Sequence, residues 1–118
     1  MRGDRDRLLD MLEMCDLLIE HVSGQSKLAD DPVIQAAAER WIEVLGEAAS
    51  RVSEEVKQGN PEVAWREIVG LRVILAHGYL NIDQDIVGSV IDQDVPELRD
   101  QLRVIADSLA SSEGDSPA

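Results

Sequence analysis

An arginine, a histidine and a tyrosine fall within eight residues in the stretch Arg72-Val-Ile-Leu-Ala-His77-Gly78-Tyr79. The guanidinium is permanently charged and presents a fork of donors that matches phosphate oxygens. The imidazole titrates near neutrality, so it can take up and return a proton. Together these groups suit chemistry at a phosphate. RNA can be cut without a metal when a base removes the 2′-hydroxyl proton and a fixed cation stabilises the charge on the attacked phosphorus. His77 has the properties of that base and Arg72 of that cation, while the Tyr79 phenol can orient the phosphate or the imidazole.

Geometry sets a condition on this pairing. On a regular helix, at about 100° per residue, Arg72 and His77 lie roughly 140° apart, whereas Arg72 and Tyr79 nearly share a face. Either the helix ends near His77, with Gly78 as its stop, or the two groups meet across a groove completed by a second chain. The plainer alternative pairs Arg72 with an acid such as Glu47 or Glu67, puts His77 at a helix end and packs the Tyr79 ring with its hydroxyl in water.

The elements that must position these residues are legible as helices. Asp4 is expected to cap a first helix running to about Val22, with Leu8, Met11, Leu12, Cys15, Leu18, Ile19 and Val22 forming one stripe. A polar loop from Ser23 follows, and Asp31-Pro32 predicts a cap and first turn for a second helix reaching about Gln58. Its buried face should carry Ile34, Ala38, Trp41, Leu45, Ala48 and Val52, with Gly59 as its stop. Asn60-Pro61 opens a turn into the motif helix, where Ile68, Leu71 and Leu75 should face inward. Asp83 caps a shorter helix through Ile91, and Pro96 starts a last one carrying Leu98, Leu102, Ile105 and Leu109. Gly46 and Gly70 inside helical patterns suggest close helix packing. The simplest fold is all-α, an antiparallel four-helix bundle with an additional short helix, spanning 4–109 and leaving 110–118 as a disordered tail.

Composition narrows the function. The chain has 118 residues, 44% of them hydrophobic, which suits one domain with a small core. Phe is absent and aromatics make up 3%, so Leu, Ile, Val and Ala must fill that core. A single cysteine forms no internal disulfide, and no apolar leader or membrane span is evident, so a cytoplasmic protein is expected. No Gly-rich phosphate loop and no metal-ligand spacing stands out, so neither a cofactor nor a metal is expected. The net charge of −13 has the wrong sign for general attraction to nucleic acid. Any RNA contact must be local, and the charge favours a protein partner with a basic docking patch.

Three further segments extend the motif: Val44-Leu-Gly-Glu-Ala-Ala49, Pro61-Glu-Val-Ala-Trp65-Arg-Glu-Ile-Val-Gly-Leu71 and Asp94-Val-Pro-Glu-Leu98. In this order, around Arg-x4-His-x-Tyr, they resemble the HepT-like branch of the HEPN superfamily over roughly Asp4 to Leu109. The resemblance implies a helical toxin of a type VII-like toxin–antitoxin pair, a metal-independent RNase whose Arg72 and His77 line a homodimer cleft. It further implies a minimal nucleotidyltransferase as antitoxin, which in some pairs transfers AMP to the motif tyrosine, here Tyr79. Family members usually carry a polar residue, often Asn, directly after the arginine. This chain has Val73, which predicts a weaker enzyme. Glu47, between small neighbours, is a possible supporting acid. A rival reading makes the chain a non-catalytic helical subunit that docks a nucleotidyltransferase through Arg72, His77 and Tyr79.

Overall fold

A computed structural model of the chain describes residues 3–24, 31–77 and 84–114; of residues 72–77, 84–86 and 111–114 it describes the backbone alone. The elements are helices α1 (Asp4–His21), α2 (Pro32–Ser50), α3 (Glu54–Gly59), α4 (Trp65–His77) and α5 (Gln84–Ser89), a π-helical turn (Val90–Asp94) and α6 (Val95–Gly114). Among the described residues there is no strand. The fold is all-α, as the hydrophobic periodicity predicts.

The four long helices pack in the order α4, α2, α1, α6. The predicted stripe of α1 is the inner layer: Leu8, Met11, Leu12, Cys15 and Leu18 are buried, followed by Val22 past its end. Ala38, Ile42, Leu45, Ala48 and Ala49 of α2 meet them, as do Leu98, Leu102, Ile105 and Ala106 of α6. Ile34, Trp41, Ile19 and Leu109 are partly buried and pack against this core.

Local signals explain most boundaries and correct two expectations. Asp31 caps α2 as predicted, its Oδ1 accepting from the Val33 and Ile34 amides at 3.0 and 3.1 Å, with Pro32 in the first turn. Asp4 does not cap α1. Gly3 occupies that position without a side-chain bond, and the Asp4 carboxylate instead accepts from the Ser53 amide at 2.8 Å and the Ser53 hydroxyl at 2.7 Å. That link also ends α2 early. Rather than continuing to Gln58, α2 stops at Ser50, whose hydroxyl turns back to the Glu47 carbonyl. Ser53 then caps the separate short helix α3 by accepting from the Val56 amide.

A third correction concerns α5 and α6. The sequence predicts a break before Pro96, yet the helical path runs from Gln84 to Gly114 through the π turn. Proline has no N–H for the preceding turn and its ring crowds the carbonyl four residues back. The turn just before it is widened, with the Val95 amide bonding to the Val90 carbonyl, which lets the helix pass the proline without stopping. Asp92 in this turn accepts from the Ser23 hydroxyl and the Gly24 amide, at 3.1 and 2.9 Å, clamping the turn to the end of α1. The backbone stays helical to Gly114, past the 109 boundary, and 115–118 lie outside the described residues. Among the described residues nothing lies within 4 Å of a Cβ placed at Gly70, so close helix packing does not account for this glycine there.

Candidate active site

The turn before α4 fixes where the motif helix begins. Val63 and Trp65 donate backbone bonds to Asn60 and Val63, and the Trp65 indole N–H donates to the Asn60 carbonyl at 3.0 Å. The Asn60 side chain in turn donates to the Val56 carbonyl at 2.9 Å. Val63, Trp65 and Ile68 are buried, so the first turn of α4 is held by apolar contacts and by one satisfied indole. From this anchor the helical backbone continues through Arg72 and His77.

Arg72 follows buried Ile68 by one turn. Because the helix persists through both motif residues, their positions diverge by about 140° around its axis and rise by about 7.5 Å along it. Convergence on one phosphate therefore calls for the long reach of arginine or for a second chain. Gly78 and Tyr79, and with them the expected stop and the phenol, lie outside the described residues.

Glu47, on α2, is half-buried and engages Arg51 through two contacts, Nη2 at 2.8 Å and Nε at 3.0 Å. It lines a depression of about 430 Å³ with Arg7, Asp10, Arg40, Glu43 and Val44. These lining residues belong to α1, α2 and the turn after α2. Both nitrogens meet the same oxygen, Oε1, and the partly exposed pair is a local i,i+4 tie of modest worth.

Other polar candidates resolve as structural. Cys15 is fully buried, and its thiol is pushed up to about 12 by burial first and by the neighbouring Asp16 charge second. A thiol held protonated so far above neutrality is no nucleophile. Asp16 accepts from Arg99 Nε, linking α1 to α6. His21 is exposed at the end of α1 and packs against Trp41, the ring centroids 5.8 Å apart and the planes tilted by 38°.

One feature escaped the sequence reading. Beside α4, a groove of about 340 Å³ has an apolar floor of Leu45, Ile68, Leu71, Val95 and Leu98, with Ala64, Val90 and Gln101 completing its walls. Glu62, Glu67, Asp94 and Glu97 line it as well, all four exposed. The carboxylates come in two pairs about thirty residues apart, so no local spacing announces them. Gln101 closes one end by donating to the Glu62 carbonyl at 3.2 Å.

No solved structure matches the chain. Among known proteins it is 35% identical over 107 residues to one named "Putative RNase TTE0752" from Caldanaerobacter subterraneus, covering 89% of this chain and 96% of that one. It is 31% identical to "Probable ribonuclease HepT" of Thermococcus cleftensis, covering 83% and 91%, and 30% identical to "Putative RNase MJ1380" of Methanocaldococcus jannaschii, covering 83% and 92%. Residues 8–105, which include the whole of α4, match the family described as Ribonuclease HepT-like. The chain belongs to this HepT-like family of the HEPN superfamily.

Proposed function

We propose that this protein is the toxin of a toxin–antitoxin pair and an endoribonuclease that works without a metal in the cytoplasm. The observation that carries the reading is a continuous helix bearing a permanent cation, Arg72, and a titratable base, His77, inside the family-matched region. The relatives named as RNases support the substrate class. In this mechanism His77 removes the proton from a 2′-hydroxyl, the 2′-oxygen bonds to phosphorus, and the bond to the 5′-oxygen breaks, that oxygen taking a proton from water while His77 returns its own to the solvent. Arg72 holds the non-bridging oxygens as charge builds on them. The products are a 2′,3′-cyclic phosphate and a 5′-hydroxyl. A homodimer that brings two α4 helices to one cleft overcomes the divergence of the pair around a single helix.

The test is RNA cleavage by the purified protein with EDTA present. His77→Ala and Arg72→Ala should each lower the rate by about a hundredfold or more, with helical content and melting temperature retained. Equal rates in parent and variants would remove these residues from catalysis.

The antitoxin in this reading is a minimal nucleotidyltransferase that moves AMP from ATP to Tyr79: the phenol oxygen bonds to the α-phosphorus and pyrophosphate leaves. The adduct adds about one negative charge near Arg72 and competes with RNA for that cation. Intact mass after incubation with the partner, ATP and magnesium should rise by one AMP in the parent and remain unchanged in Tyr79→Phe. The modified protein should lose cleavage activity.

A second reading keeps the partner and drops the catalysis. The net charge of −13 and Val73 in place of the usual polar neighbour both favour a docking subunit. A parent protein that binds the nucleotidyltransferase yet never cuts RNA would establish it.

A further inference from the structure

We infer that the groove between α4 and the start of α6 is a docking site for a cationic amphipathic segment of a partner protein. Its floor is apolar and open, so an occupant must offer an apolar face. Its edges carry Glu62 and Glu67 on one side and Asp94 and Glu97 on the other, and among the described residues none of the four takes part in an ion pair. Burying an apolar segment here removes floor residues from water while four free carboxylates remain at the rim for its basic side chains. Lysine and arginine fit both demands, since their stems cover apolar surface while their heads reach the rim.

Charge selects among occupants. RNA would bring phosphates against four carboxylates. A second copy of this chain carries the same rim and the same net charge of −13, so a symmetric contact here would oppose like charges. A basic segment is the occupant whose charge complements the rim, and the helical walls match an amphipathic helix laid into a groove. This inference does not depend on whether the protein cuts RNA.

The test uses a synthetic amphipathic helix of leucine and lysine, about four turns long, titrated into the full chain at physiological salt. Binding is read by fluorescence anisotropy of the labelled peptide and by amide chemical shifts. Shift changes should centre on α4 and the first turns of α6. The pair Glu67→Lys and Glu97→Lys should weaken binding by about tenfold or more. The charge-matched pair Glu13→Lys and Glu55→Lys, at exposed positions outside the groove, should change it by less than about twofold. Ala64→Trp, at an exposed wall position, fills the groove without altering charge and should abolish binding while the melting temperature holds. Equal weakening by both charge reversals would reduce the effect to general acidity and overturn the proposal. So would undiminished binding to Ala64→Trp. A parent dimer that Ala64→Trp converts to monomer in sedimentation would assign the groove to a second copy. Displacement of the peptide by an RNA oligonucleotide would assign it to nucleic acid.

Discussion

Helices α1 and α4 both pack on α2 with similar aliphatic side chains, and the outcomes differ. α1 is enclosed: Leu8, Met11, Cys15 and Leu18 have no exposed surface, and polar ties hold it from outside, Asp4 to Ser53, Asp16 to Arg99 and the turn after it to Asp92. α4 is anchored at its first turn by Trp65, and Leu71 is left half-buried beside an open groove. One helix closes the core while the other leaves apolar surface and charge accessible. The contrast separates where stability resides from where binding and chemistry can occur.

The contrast is sharpest for leucine truncation. Leu18→Ala, removing a fully buried side chain, should cost about 2–5 kcal/mol of unfolding free energy, whereas Leu71→Ala in the groove floor should cost about 1–2 kcal/mol. Urea denaturation measures both, and equal losses would show that α4 is as enclosed as α1. An intermediate effect is expected at the seam between α1 and α3. Ser53→Ala deletes a helix cap and leaves the Asp4 carboxylate short of a donor, a loss of about 1–2 kcal/mol. The smallest effect has the opposite sign. Gly70 is helical, has no positive φ and has open space at its Cβ position, so Gly70→Ala should raise stability by about 0.5–1 kcal/mol. A loss there would mean that a partner approaches that face of α4 closely in solution.

Periodicity made much of this fold legible. The stripe of α1 and the Asp31-Pro32 start of α2 could be read because each is a local pattern. The end of α2 could not. Ala48, Val52 and Val56 continue the helical spacing across the break, and what favours the break is a bond from Ser53 to Asp4, far away in the chain. The acid-rimmed groove was hidden for the same reason, its two edges coming from distant segments. At the candidate site, the sequence reading put Arg72 and His77 on one helix, and α4 contains both. The divergence of the two positions was legible as well, because it follows from helix geometry alone; that the helix persists through His77 was not, because Gly78 offered an equally local stop.

The widened turn at Val90–Asp94 has a consequence for how this chain tolerates changes in length. A π turn takes in more residues per turn than the α-helix on either side, so it acts as a phase adjuster in an otherwise continuous rod. Val87, Ile91 and Val95 follow one another at intervals of four, a spacing that drifts by about 40° per step in a regular α-helix. Underwinding at this turn offsets the drift and keeps Ile91 and Val95 both buried. Removing one residue here would let the rod revert to uniform α-helix with little net rotation of α5 relative to α6, because the underwound turn carries its extra residue within nearly the same angle. The segment is thus a built-in register buffer: one residue can be lost at this turn with α5 keeping its orientation, whereas the same loss within α5 or α6 would rotate one against the other by about 100°.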